Sequence, residues 1–163
     1  MGEVLVRKDL AYTSAQGRTR VGYVKSELIS ALEEYLGCND KKNAVIIGAG
    51  GLGSALLAYG GFSNYGIDLV AAFDNNPEKC GKEIAGKPVY NVSELKDGIS
   101  RLAVKLAVIC VPAKHAQEAA DLLAGCGVKK ILNFAPVLLQ TEEDITVRNI
   151  DVAANLAILS SMV

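Results

Sequence analysis

From Asn43 onward the chain alternates short apolar runs with stretches of helical periodicity. The runs "AVIIG", "IDLVAAFD", "LAVICV" and "KILNF" are apolar through their middles and do not alternate with polar residues. Such strands expect cover on both faces, as in a parallel sheet. "KPVY" and "ITVRNI" supply two further strands. Between them the pattern predicts a helix from about Gly51 to Tyr59, one opened by Ser93, one from about Ala113 to Ala124, and a terminal helix "VAANLAILSSMV". Strands alternating with helices, joined by right-handed crossovers, make a doubly wound α/β fold. Upstream, Val24, Leu28, Ala31, Leu32, Tyr35 and Leu36 recur at helical spacing, with Gly37 as the stop and "CNDKK" as a polar connector. The chain has no internal repeat and no low-complexity tract.

Composition narrows the reading without changing it. In 163 residues, half of them hydrophobic, there is room for one sizeable core and a small appendage, not for a second full domain. No apolar stretch reaches the roughly 20 residues of a membrane helix, and the charged N-terminal residues are unlike a signal peptide, so the expected location is cytoplasmic. Cys38, Cys80, Cys110 and Cys126 are scattered without a C-x-x-C pair, and read as reduced thiols, with no metal site and no disulfide frame. Charge is uneven: Arg7, Lys8, Arg18, Arg20 and Lys25 face one acid, Asp9, giving +4 there and leaving −5 for the rest. That end is suited to a polyanion, or is simply a solvated face.

Gly48, Gly50 and Gly53 form G-x-G-x-x-G between a predicted strand and a predicted helix. In this context the first glycine permits a tight turn, the second lets backbone approach a diphosphate, and the third lets helix pack on strand. The helix N-terminus adds unpaired N–H donors and partial positive charge. Asp74 ends the next strand, 21 residues beyond Gly53, where a carboxylate accepts from ribose hydroxyls and repels a 2′-phosphate. The expected ligand is NAD or NADH, held by Gly48, Ala49, Gly50, Gly51, Leu52, Gly53 and Asp74. Its competitor is a plain glycine turn with an incidental Asp.

Two more strand ends, Val111-Pro112 and Asn133-Phe134-Ala135-Pro136, offer apolar walls with one polar group, Asn133, and suit a neutral reduced nicotinamide better than a cationic one. The prolines also serve simply to end the strands. A dehydrogenase needs a proton-transfer group within reach of substrate. The sole histidine, His115, lies just inside a predicted helix beside Lys114 and is expected at the surface, and no Tyr-x-x-x-Lys or Ser-x-x-x-Lys arrangement follows the fourth strand. The expectation is a nucleotide reader with no catalytic residues.

The stretches "VRKDLAY", "GRTRVGY", "GAGGLGSALLAY", "AAFDNNPEKCGKEIAGKPVY", "VPAKHAQEAADLL" and "ILNFAP" resemble the Rex family of bacterial redox-sensing transcriptional repressors. The resemblance runs from Val4 to the terminal helix. It implies a homodimer in which a winged helix binds operator DNA, a Rossmann domain binds NADH, and a C-terminal helix swaps onto the partner, with high NADH/NAD releasing DNA. It also implies a division into residues 1–23 as a remnant of the winged helix, 24–40 as a linker helix, 41–150 as the NAD(H)-binding Rossmann domain and 151–163 as the dimerisation helix. Only the end of the recognition helix and the wing are expected, so DNA binding through Arg7, Lys8, Arg18 and Arg20 would lack its scaffold. Tyr59 and Asp151 match a tyrosine and an aspartate of the family's ligand-state switch. They also read as a core aromatic with a surface hydroxyl and as a helix N-cap. Gly51, His115 and Val152 depart from the residues usual in the family. Two alternatives remain: a coenzyme A-binding domain like that of succinyl-CoA synthetases, and a small NAD-dependent oxidoreductase.

Overall fold

A computed structural model describes Val6, Lys8 and residues 10–18, 21–37 and 40–162. Its contacts divide the chain into two compact units, Met1–Lys41 with Gly61–Ile67, and Lys42–Gly60 with Asp68–Val163.

In the first unit, helix α1 spans Lys25–Tyr35 and ends where Gly37 takes a φ of 66°. Ala31 is its buried residue. Ahead of it, Arg18 pairs with Gly22 in an antiparallel bridge, and Gly22 has a φ of 87°. Val6, Lys8 and Leu10 are helical.

The second unit is the α/β body. Its strands are β1 (Lys42–Ile47), β2 (Ile67–Asp74), β3 (Glu83–Ile84), β4 (Lys87–Asn91), β5 (Val104–Ile109), β6 (Lys130–Asn133) and β7 (Thr146–Asn149), in the order β3-β4-β2-β1-β5-β6-β7. Parallel pairing joins β1 to β5, β5 to β6, β6 to β7 and β2 to β4, and β3 pairs antiparallel with β4. The expected doubly wound, mostly parallel sheet is present. Helices α2 (Gly51–Ala58), α3 (Leu95–Arg101), α4 (Ala113–Gly125) and α5 (Val152–Ser160) complete it.

Register levels the carboxyl ends of the strands: Ile47 lies opposite Ile109, Ile109 opposite Asn133, and Asn133 opposite Asn149. Since β2 and β5 leave β1 in opposite directions, the strand order reverses at β1, and the crevice of a doubly wound sheet opens there. The core behind it holds Val45, Ile47, Phe73, Ile109, Ala116, Ala120 and Leu123, each 3 % exposed or less. Burying a side chain such as Phe73 or Leu123 contributes roughly 1.5–3 kcal/mol, so the turns at the crevice are mounted on a firm base. Helix α3 approaches β2 closely at Gly98, where an added Cβ would stand 2.5 Å from the Phe73 ring.

Several boundaries differ from those predicted. The helix expected to open at Ser93 begins with a 3-10 turn at Val92–Glu94, capped by Asn91, whose side chain accepts from Ser93 N while Glu94 accepts from Asn91 N. This capping box outcompetes a serine cap. Strand β5 begins at Val104 and ends at Ile109, two residues earlier than "LAVICV" implied, and Cys110 to Pro112 belong to the turn. Among the described residues, no helix is long and apolar enough to cross a membrane.

Candidate functional site

The glycine turn connects β1 to α2 at the reversal point. Gly48 adopts a φ of 98°, and a Cβ there would meet Val111 Cγ1 at 2.8 Å and Cys110 O at 2.9 Å. At Gly53 a Cβ would sit 2.0 Å from Gly48 O and 3.0 Å from Ile46 Cγ2. These two glycines are therefore required by the protein's own packing. Gly50 differs: nothing lies within 4 Å of its would-be Cβ, and its φ of −76° suits any residue. Space left bare there is the cradle a diphosphate needs. Helix α2 starts beside it with Gly50 as N-cap and no side-chain cap bond, so its first N–H donors are not satisfied by a capping side chain.

Asp74 closes the far side of this turn. Its Oδ2 accepts from Ala49 N at 2.8 Å and from Lys79 Nζ at 3.1 Å, and its Oδ1 accepts from Asn76 N at 2.8 Å. Burial alone would raise the carboxyl, but the Asn76 N–H, Lys79 and the Ala49 N–H together hold it below its ordinary value. It is a carboxylate at neutral pH, only 8 % exposed.

A cavity of about 450 Å³ extends from the glycine turn over the carboxyl ends of β1, β2 and β5. Of the predicted ligand residues it brings together Gly48, Gly50, Asp74, Val111 and Pro112. Ala49, Gly51, Leu52 and Gly53 are not in that lining and lie in the turn and the first turn of α2.

The turn at Asn133 to Pro136 does not line the cavity. It lies at the end of β6, where Phe134 N donates to Ile109 O at 3.0 Å. Asn133 is fully buried; its amide donates to Ala135 O, Val137 O and Asn149 Oδ1 and accepts from Ala135 N. Its polar group, expected to serve a ligand, is consumed in locking the turn to β7, so it acts as a brace.

The sequence reading did not assign the remaining wall of the cavity. Asn75, Asn76, Lys79, Val92, His115, Glu118, Ala119 and Leu122 line it as well, with Ile47 and Phe73 at its floor. The signal was present in α4, where residues 115, 118, 119 and 122 follow the i, i+3, i+4, i+7 spacing of one helix face. His115 is half-buried on the cavity wall, a correction to the surface placement expected for it. Cys110 also lines the cavity, and burial pushes its thiol up to about 11.

Tyr59 is the C-cap of α2 and 60 % exposed, so it is no core aromatic. Asp151 is the N-cap of α5, its Oδ1 accepting from Ala154 N at 2.8 Å. Lys8 and Arg18 are exposed, Arg18 lying 3.8 Å from Glu27, while Arg7 and Arg20 fall outside the described residues. Cys80, Cys110 and Cys126 are free, Cys38 lies outside the described residues, and among those described no cluster of His, Cys, Asp or Glu is arranged for a metal ion.

Comparison with known proteins agrees with this geometry. The family model for a CoA binding domain matches residues 39–137. The redox-sensing transcriptional repressor Rex of Treponema denticola is 40% identical over 159 residues, covering 98% of this chain and 76% of that protein. Two solved structures of RSP, one in complex with beta-NAD+ and operator DNA and one with beta-NADH, superpose with TM-scores of 0.92 and 0.84, each at 33% identity. They match 99% and 98% of this chain and 75% and 74% of those chains. A relative of such identity, matched over three quarters of its own length, fixes the family: this chain belongs to the Rex redox-sensing transcriptional repressors.

Proposed function

We propose that this chain is the sensor and dimerisation part of a repressor that reads the NADH/NAD ratio, without catalysing a reaction. The observation that carries this reading is the pairing of a bare Gly50 cradle with the Asp74 carboxylate at the sheet's reversal point, in a cavity whose lining is otherwise mostly apolar. NADH would lay its diphosphate against the Gly48 to Gly53 turn and its adenosine ribose at Asp74, with the adenine end along α4. Val111 and Pro112 would meet the nicotinamide, and the Asn133 to Pro136 turn would hold that wall from behind.

DNA release then follows from linkage. A ligand moves an equilibrium only by binding its two states unequally, and each ligand weakens the other by the same factor. Tyr59 and Asp151, both exposed at helix ends, are the proposed switch residues across a homodimer. Residues 1–23 are assigned to the DNA-binding end, 24–40 to the linker, 41–150 to the sensor and 151–163 to the dimer contact, with Arg7, Lys8, Arg18 and Arg20 on phosphates of operator DNA. A DNA-binding role is the basis for assigning the chain to the cytoplasm.

Calorimetric titration of the purified chain with NADH and with NAD tests this reading. Heat of association at micromolar NADH, with weaker binding of NAD, is expected; no association with NADH would overturn it. The coenzyme A reading is favoured by one observation, the family model over residues 39–137, and predicts binding of coenzyme A but not of NADH in the same experiment.

A further inference from the structure

One face of α4 brings polar groups to a cavity that is otherwise mostly apolar. His115, Glu118, Ala119 and Leu122 all line it. Ala119 is 6 % exposed, and together with Leu122 and Val92 it supplies an apolar strip on which a ring can lie. His115 is half-buried, with its backbone N–H donating to Pro112 O at 2.9 Å. Glu118 is exposed, and because it also borders a second groove, shared with Val92 and Leu122, it stands at the divide between the two. Among the described residues neither side chain has a hydrogen-bond or ion-pair partner, so the fold uses neither of them to hold itself together. Three residues apart on a helix, they have Cβ atoms about 5–6 Å from one another on the same face. A carboxylate only accepts, and an imidazole keeps at least one N–H donor in every protonation state.

We propose that this pair reads the base of the bound dinucleotide, Glu118 accepting from the exocyclic amine at C6 and His115 donating to N1. A 6-amino purine offers that donor beside that acceptor along one edge. A 6-oxo purine has a carbonyl where the amine stood and a proton on N1, so both contacts are reversed and the side chains are left facing groups of their own kind. The pair therefore selects adenine over hypoxanthine by the cost of unpaired polar groups. This selection rests on the dinucleotide reading above and deepens it: the glycine turn and Asp74 meet the diphosphate and sugar common to every such ligand, whereas His115 and Glu118 set which base is accepted.

The test measures dissociation constants of NADH and of reduced nicotinamide hypoxanthine dinucleotide, which differ only in the base, for the wild-type chain, Glu118→Gln and His115→Leu. Wild type is expected to bind NADH about tenfold more tightly, the worth of a charge-assisted hydrogen bond discounted for an exposed carboxylate. In Glu118→Gln the amide can turn either its oxygen to the amine or its nitrogen to the carbonyl, and the ratio of the two constants falls toward one. His115→Leu removes the donor to N1, weakens NADH and lowers the ratio as well. Equal binding of the two dinucleotides by wild type, or a ratio unmoved in either variant, overturns the base-reading pair and leaves the NADH reading standing. Absence of NADH binding in the wild type overturns both. Melting curves of the three proteins verify that each is folded, as expected for substitutions at side chains without partners.

Discussion

Asp74 shows how one residue carries structure and recognition together. Its folded pKa lies below that of an ordinary carboxylate, so ionisation contributes stability that is present above the unfolded value and is lost as pH falls through the folded value. Replacing it by Asn removes the charge but not the shape. Asp74→Asn is expected to melt at a lower temperature than wild type at neutral pH, with the gap narrowing below pH 3.8, and to bind NADH about tenfold more weakly. Calorimetry and thermal melts from pH 7 to pH 3 check both. Cys110 obeys the opposite rule. With its thiol raised from 9.0 to about 11, it holds about a hundredfold less thiolate near pH 8 than an unshifted cysteine. Iodoacetamide is therefore expected to modify it about a hundredfold more slowly, as mass spectrometry of the labelled protein would measure. Sequence spacing exposed Asp74 because the distance from Gly53 to the end of the next strand is a local property of one β-α-β unit. It did not show that the Asn133 amide donates to Asn149, a partner 16 residues away that only strand pairing brings near. Lys79 escaped for a similar reason, since its partner is fixed by a turn whose course no periodicity records.

Within the β1-α2 element, the three glycines have separable tasks. Gly53 is filled from behind by Gly48 O, so Gly53→Ala must push backbone and is expected to cost about 1–3 kcal/mol of stability. Gly50→Ala meets nothing within 4 Å and is expected to melt like wild type, yet to lose NADH affinity because its methyl enters the diphosphate's space. Equal loss of stability in the two variants would show the turn to be purely structural. The other elements were legible in proportion to their length and burial. Strand β2 occupies the predicted Ile67–Asp74, because the apolar run Leu69 to Phe73 sits between a glycine turn and an asparagine pair that bound it. Strand β3, two residues long, is too short to carry any alternation. Its pairing with β4 depends on the turn at Ala85 and Gly86, both at positive φ, which apolar patterning does not encode.

At the scale of the whole molecule, α5 is the element that the chain does not account for by itself. Val152, Leu156, Ile158, Leu159 and Met162 are 55–75 % exposed, and no residue of the helix is buried. Nine residues are too few for a stable isolated helix in water, and a contiguous apolar patch of this kind marks a protein contact. The sequence showed an apolar terminal helix but could not show that the chain's own core would leave it uncovered. In the proposed homodimer they are the contact, and the Asp151 cap sets where the helix begins. Leu156→Glu with Leu159→Glu places charge in that contact while leaving the cavity residues untouched. Sedimentation velocity is expected to find wild type as a dimer at micromolar concentration and the double variant as a monomer that still binds NADH. Since coupling needs two arrangements of a dimer, that monomer must retain NADH affinity while losing any dependence of it on a second subunit. A wild-type chain that sediments as a monomer would leave α5 without the partner its composition demands and would remove the dimer from the proposed switch.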